Sequence, residues 1–382
     1  MPLGDRLIVS VELTNAKDKT EMWGEQYNRK PTDLFQLQSE ISKEIAGKLN
    51  SRLTGATEKK FRSSELGNSQ AYDLTLRGRF YNRRGGKENR LKAVDYFNQA
   101  ITADPKYAPA YAELSLAYII LIHNSHLKPE EVQFKAEAAA RKALELEENL
   151  ADAHYAMAQI KRSSWEWAEA EREYKRAIEL NPNFARAHSG YSWYLCFMHR
   201  YDEALAENKR AKALDPLSLA NHADTGFIYY AARQYEQAIT EFKNTLELDQ
   251  NYDSAYVYLG YVYAAKGMHR EAIAAYQKAI EKSGEHTSIQ IYMGAAYAKA
   301  GELEKARAIL KRLQTSNEYV SPTELAILYD ALRMREQAFA SLEKAYAAHD
   351  LQLQYLGVDP SFDGLRSDPR FQDLLQRIGL SH

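Results

Sequence analysis

Several residue types that usually announce a chemistry are scarce in this sequence. One cysteine, Cys196, stands among 382 residues, which excludes an intrachain disulfide and any multi-cysteine zinc site. Proline occurs only 10 times, so few positions are forced to break a helix. No run of about 18 apolar residues occurs, and nothing reads as a membrane-spanning helix. The opening Met1-Pro2-Leu3-Gly4-Asp5-Arg6 lacks the basic-then-apolar build of a signal peptide. A cytoplasmic location is the expectation, or a periplasmic one if a membrane segment lies upstream. Neither sign of charge dominates: 50 Lys and Arg stand against 52 Asp and Glu, a net charge of −2. A main task of gripping nucleic-acid phosphate is therefore disfavoured.

Catalytic signatures are missing too. There is no Walker-type phosphate loop, paired-glycine dinucleotide turn, His-Glu-x-x-His, Gly-x-Ser-x-Gly or EF-hand loop. Gly85-Gly86-Lys87 lacks the upstream glycine and the hydroxyl residue of a phosphate cradle, and with Arg83, Arg84 and Arg90 it reads as a solvated turn. His123 and His126 are spaced to share a metal, but no third ligand is evident. Cys196 has His199 and Arg200 one helical turn on, yet nothing orients the histidine, so a buried structural thiol is the simpler reading. We expect no catalytic residue, no metal and no cofactor, and hence no enzyme.

What the sequence does have is tyrosine, 27 of them, and a repeat. Ala170, Ala204, Ala238, Ala272 and Ala306 are each 34 residues apart, and the same step separates Gly226, Gly260 and Gly294, then Tyr229, Tyr263 and Tyr297. Pro182 and Pro216 keep it as well. In the unit 253–286, Leu259 and Tyr263 share one helical face. Ala272, Tyr276 and Ala279 line a second helix, and Gly267 supplies the break between them. Each unit reads as an antiparallel helix pair that must stack on its neighbours to bury its apolar face. His154, His188 and His222 share the 34-residue step and read as flat rings packed between units.

This register resembles the tetratricopeptide repeat (TPR), whose small, aromatic and alanine positions appear as Gly226, Tyr229, Ala238 and Phe242, with Ala177 and Pro182 two repeats earlier. The resemblance implies a mostly all-α, right-handed superhelix of about eight helix pairs over residues 71–352. Residues 353–382 leave the period, and Asp368-Pro369 starts a short capping helix. The first 60 residues read differently. Leu7, Val9, Val11 and Leu13 alternate as in a strand, residues 15–20 form a turn, and residues 22–27 make a second strand. Asp33 then caps a helix carrying Leu34, Leu37, Ile41, Ile45 and Leu49. The string from Leu13 through Trp23, Tyr27, Arg29 and Asp33 to Ile41 resembles the closing half of the TolB amino-terminal-like domain. That family's domain commonly precedes a TPR array in multidomain bacterial regulators. The expectation is the C-terminal part of such a regulator, or a shortened relative, able to pair its free strand edge in a homodimer.

In a TPR superhelix the first helix of each pair lines a concave groove. The resemblance places Tyr155, Gln159, Arg162, Arg186, Trp193, Phe197, Phe227, Tyr230, Tyr258, Tyr261 and Tyr292 there. The middle is an aromatic stripe, entered past Arg162 and Arg186. Aromatic side chains give large contact area at small entropic cost, so the groove is expected to bind a protein or peptide segment, or else the chain's own tail. The Lys and Asn clamp for chaperone C-termini is not reproduced. Two functions follow as expectations: a non-catalytic interaction scaffold, or the regulatory part of a transcription regulator, cyclase or kinase.

Overall fold

The computed structural model describes residues 7–14, 21–29, 37, 40, 41, 44, 69–123, 127 and 129–381. Expectations resting on Asp33, Leu34, Ile45, Leu49, His126 and residues 15–20 lie outside them. The chain falls into two compact units, Met1–Ala110 and Tyr111–His382.

In the first unit, β1 (Leu7–Thr14) and β2 (Glu21–Arg29) pair antiparallel, with Val9 opposite Tyr27 and Val11 opposite Glu25. Ile8, Ser10 and Glu12 are exposed while Val9 and Val11 are half-buried, so the alternation holds and Ile8 is its outward exception. Tyr27 is buried, and its hydroxyl donates to Glu44 Oε2 at 2.7 Å. Arg29 pairs with Glu40 at 3.0 Å. Leu37, Glu40, Ile41 and Glu44 are helical, as the 3.6-residue spacing requires. The first helix pair, α1 (Ser69–Arg83) and α2 (Lys87–Ala103), turns at Gly85 and Gly86, both left-handed (φ 69° and 72°), a conformation only glycine adopts without strain.

The second unit is a run of helix pairs in sequence order, opening with α3 (Ala108–His123, from Tyr111 on) and α4 (Pro129–Leu146). There follow α5 (Ala151–Ser163) with α6 (Trp167–Leu180), α7 (Ala185–Phe197) with α8 (Tyr201–Leu214), and α9 (Leu219–Ala231) with α10 (Tyr235–Leu248). The last pairs are α11 (Asp253–Ala265) with α12 (His269–Ser283), α13 (Thr287–Lys299) with α14 (Leu303–Gln314), and α15 (Pro322–Ala331) with α16 (Arg335–Ala347). Among the described residues no strand occurs beyond β2.

The 34-residue register marks where two helices touch. Ala170, Ala204, Ala238, Ala272 and Ala306 are all fully buried. At Gly260 a Cβ would stand 2.2 Å from the Tyr276 ring, and at Gly226 2.5 Å from Phe242, so the first helix is glycine where the partner helix drives a ring against it. Ala272→Leu should therefore overpack this contact and lower stability by about 1–3 kcal/mol in a denaturant titration; an unchanged midpoint would break the assigned register. Tyr276 has the opposite weakness. Its ring fills the core but its buried hydroxyl has no partner among the described residues. Tyr276→Phe should leave stability unchanged or raise it by about 1 kcal/mol, since an unmade buried hydrogen bond is worse than none. A loss larger than that would mean the hydroxyl is satisfied.

The histidines spaced by 34 do more than pack. His154 Nδ1 lies 2.6 Å from Glu173 Oε2 and its Nε2 lies 2.8 Å from the Glu148 carbonyl; His188 repeats this with Glu207 at 2.6 Å and the Pro182 carbonyl at 3.1 Å. His222 keeps the carbonyl contact, to Pro216 at 3.0 Å. In the first two the imidazole ties its own pair's second helix to the preceding turn, which a tyrosine at that position could not do with both ends.

After α16 the chain leaves the repeat. Two 3-10 turns, Leu351–Tyr355 and Pro360–Phe362, lead to α17 (Pro369–Arg377). Asp368 caps α17 by accepting from Arg370 N, as its sequence position foretells. α17 covers the last pair: Arg370 and Arg377 place their guanidinium carbons 3.9 Å over the rings of Phe339 and Tyr346.

A candidate partner-binding groove

The first helices of successive pairs bring most of the expected groove residues into one stripe. Trp193 of α7 packs on Phe227 of α9 with ring centroids 4.5 Å apart, and Phe227 meets Tyr258 of α11 at 5.7 Å. Tyr230 meets Tyr261 at 6.2 Å, and Tyr261 meets Tyr292 of α13 at 4.1 Å. Phe197 lies beside Trp193 at 5.8 Å. Tyr155 stands apart, edge-on to Phe184 at 5.5 Å, its hydroxyl accepting from Gln159 Nε2 at 2.8 Å.

This stripe is not an open channel. Tyr355, from the first 3-10 turn, sits edge-on to Phe197, Trp193 and Phe227 at 5.1, 6.0 and 5.8 Å. Four residues on, the buried carboxylate of Asp359 accepts hydrogen bonds from the hydroxyls of Tyr230 at 2.7 Å and Tyr292 at 3.2 Å. The reason is apolar burial: Leu351, Leu353, Leu356, Val358 and Phe362 are all at most 3% exposed. A segment so apolar must find a face to cover, and the first helices present the aromatic one. Phe197, Phe227, Tyr230 and Tyr292 are buried beneath it. Its occupant in this structure is the chain's own tail.

The basic entrance needs a second correction. Arg186 is fully engaged, bidentate to Glu113 at 2.6 and 3.2 Å and bonded to Asp152 at 2.9 Å. Of the two arginines, Arg162 has no carboxylate partner among the described residues. It is buried, its Nη2 donates to His123 Nε2 at 3.3 Å, and its guanidinium carbon lies 5.7 Å from the Phe197 ring centroid. Burial, with the Arg162 charge alongside, pushes the His123 imidazole down to about 3, so it stays neutral and accepts.

Sequence reasoning missed Tyr355 and Asp359, and two buried carboxyls. Burial raises Asp224 to about 7, although Ser189 Oγ donates to it at 3.1 Å. Glu324 is raised to about 8 by burial, with Ser288 Oγ donating at 2.7 Å. The available signal was an acid standing inside an otherwise apolar first helix. Cys196 is fully buried and its thiol is pushed up by burial, the reverse of an activated nucleophile. Among the described residues no group of three or more metal-ligating side chains gathers. None of the described helices is long and apolar enough to cross a membrane.

A row of left-handed residues runs along the turns after the first helices. At steps of 34 stand Trp165 (φ 60°), His199 (φ 59°), Arg233 (φ 64°), Gly267 (φ 75°) and Gly301 (φ 85°). The three that are not glycine touch the tail or the helix leading to it. Trp165 stacks on Tyr346 and His349, with centroids 5.3 and 4.4 Å apart, and Arg233 is bidentate to Asp363 at 2.9 and 3.0 Å. The His199 ring lies so close to Gly357 that a Cβ there would be 3.2 Å from its Nε2. Side chains occupy the strained position where they grip something.

A family model described as "Tetratricopeptide repeat" matches residues 151–184, another so described matches 263–317, and one described as "TPR repeat" matches 226–267. The stretches 151–184 and 226–317 are thus similar to tetratricopeptide repeats. Solved TPR-like folds agree: the APC/C hetero-tetramer Cut9-Hcn1 structure is 16% identical with a TM-score of 0.56, covering 84% of this chain and 58% of that one. A structure of IFIT1 gives 16% identity and a TM-score of 0.56, covering 81% of this chain and 71% of that one. At such identity the likeness concerns the fold alone. "Putative adenylate cyclase 3" of Rhizobium meliloti (strain 1021) is 27% identical over 112 residues, 29% of this chain and only 19% of that protein.

Proposed function

We propose that the TPR array is a non-catalytic protein-interaction scaffold. Its aromatic stripe recognises an extended protein segment that carries an aromatic residue and, four positions later, a carboxylate. The observation that carries this reading is the seating of the tail: Tyr355 among Phe197, Trp193 and Phe227, and Asp359 under the hydroxyls of Tyr230 and Tyr292. A site that selects one such segment in cis has the chemistry to select another in trans. The full chain with Tyr355→Ala and Asp359→Ala should bind a fluorescein-labelled peptide of residues 351–362 saturably by anisotropy. Adding Trp193→Ala should abolish that binding. No binding by the double variant would remove the aromatic stripe as a recognition site.

A second reading, the regulatory part of a bacterial signalling protein, is favoured by the similarity to a putative adenylate cyclase and by the strand–strand–helix pattern of the first unit. In that reading residues 1–60, the TPR array of 71–352 and the segment 353–382 serve an effector module. Among the described residues no third strand pairs with the two-stranded sheet, and we propose that its edges support a homodimer. A monomeric mass by light scattering at high concentration would exclude the dimer.

A further inference from the structure

Arg162 is 6% exposed, and its Nε has no partner among the described residues. An arginine cannot shed its charge, and a buried cation without an anion is among the more unfavourable arrangements a fold can hold. The groups it touches do not answer that charge: burial keeps His123 neutral, and Phe197 offers only a ring. Glu113 and Asp152 both bond to Arg186.

Two tail residues touch the groups that border this guanidinium. Gln352 Nε2 donates to the His123 carbonyl at 3.2 Å, and Tyr355 lies against Phe197. Between them stands Gln354, 2% exposed, with neither its amide nitrogen nor its amide oxygen bonded to any described residue. A buried cation with no carboxylate partner among the described residues thus borders the contacts of a short turn that holds a buried amide with neither bond made. Each unmade bond weakens the hold of the tail on the face it covers.

We propose that the Arg162 end of the groove is a carboxylate subsite. It takes a partner segment whose residue directly before the aromatic anchor is acidic, in the place where the tail offers Gln354. This rests on the reading that the stripe binds protein segments, and it adds the residue type on which specificity turns. The partner's pattern is then an acid, an aromatic and, four positions after the aromatic, a second acid. The tail matches the last two and fails the first, so it is a placeholder that a better-matched segment displaces. A carboxylate meeting a guanidinium is also the pairing in which planar geometry and charge reinforce each other.

The test is a double-mutant cycle in the full chain. Gln354→Glu should raise Tm by roughly 2–4 °C, because the tail then supplies the missing anion. In an Arg162→Gln background the same change should lower Tm, since it buries an unpaired acid. Arg162→Met serves in its place if Arg162→Gln does not fold. A Gln354→Glu change that lowers Tm equally with and without Arg162 would overturn the subsite. The partner arm uses the Tyr355→Ala, Asp359→Ala chain and two labelled peptides of residues 351–362, one native and one with Gln354→Glu. The acidic peptide should bind roughly tenfold more tightly, and equal affinities would overturn the proposal. If the cycle shows coupling while neither peptide binds, the carboxylate subsite stands in cis and it is the recognition of partners by the stripe that fails.

Discussion

Phe362→Ala should lower the free energy of unfolding by about 3–5 kcal/mol, the range for deleting a fully buried phenylalanine ring. Phe362 is 1% exposed and meets Phe371 of α17 at 6.3 Å, so it links the second 3-10 turn to the capping helix. It follows Asp359 by three residues, and its loss should loosen the carboxylate held by Tyr230 and Tyr292. Urea titration measures the stability, and hydrogen exchange over residues 351–362 should rise in parallel. A loss under 1 kcal/mol would mean that the tail lies on the repeats without being part of their core.

The pH dependence should be the other large effect, and Glu324 sets its sign. The fold raises this carboxyl from 4.5 to about 8, chiefly by burial, with Asp350 and Asp359 adding to the rise against the opposing Ser288 hydrogen bond. Above 4.5 the unfolded chain releases this proton while the folded chain keeps it. The stabilising contribution is therefore complete below pH 4.5 and is lost as pH rises through about 8. Each pH unit in that window lowers stability by about 1.4 kcal/mol per such group. Asp224, raised to about 7 from 3.8, acts in the same direction over a lower window. Wild-type stability should fall by a few kcal/mol, on this order-of-magnitude basis, between pH 5 and pH 8.5. Glu324→Gln should flatten the upper half of that fall. Parallel pH profiles for the two chains would show that Glu324 is ionised in the fold.

Helix pairs, their glycine and alanine contacts, the cap at Asp368 and the amino-terminal strands were all legible, because each follows from local spacing or one residue's backbone preference. The alignment of the first-helix rings was legible, since a 34-residue step carries every first helix to an equivalent place. What covers them was not. Leu351, Leu353, Leu356, Val358 and Phe362 follow neither a helical nor a strand period, so burial was foreseeable and its location was not. Arg186 and Arg162 look alike in sequence, yet Glu113, 73 residues away, claims only the first. The histidine series was read as ring packing because spacing cannot show that Glu173 and Glu207 lie 19 residues on, within reach of the imidazole.

The tail's reach also changes how the second unit should come apart. Repeat arrays are ordinarily quasi-one-dimensional: each unit contacts its neighbours, so the ends fray first and stability grows with every unit added. Here Gln352 bonds to His123 across 229 residues, and the Trp167 indole donates to the Ile378 carbonyl across 211. The last elements are thus tied to the early ones, and neither end of the second unit is free to peel. Inserting one more repeat would not lengthen a spring; it would carry Arg233 out of step with Asp363 and Tyr230 out of step with Asp359. The number of repeats is fixed by the tail that must span them.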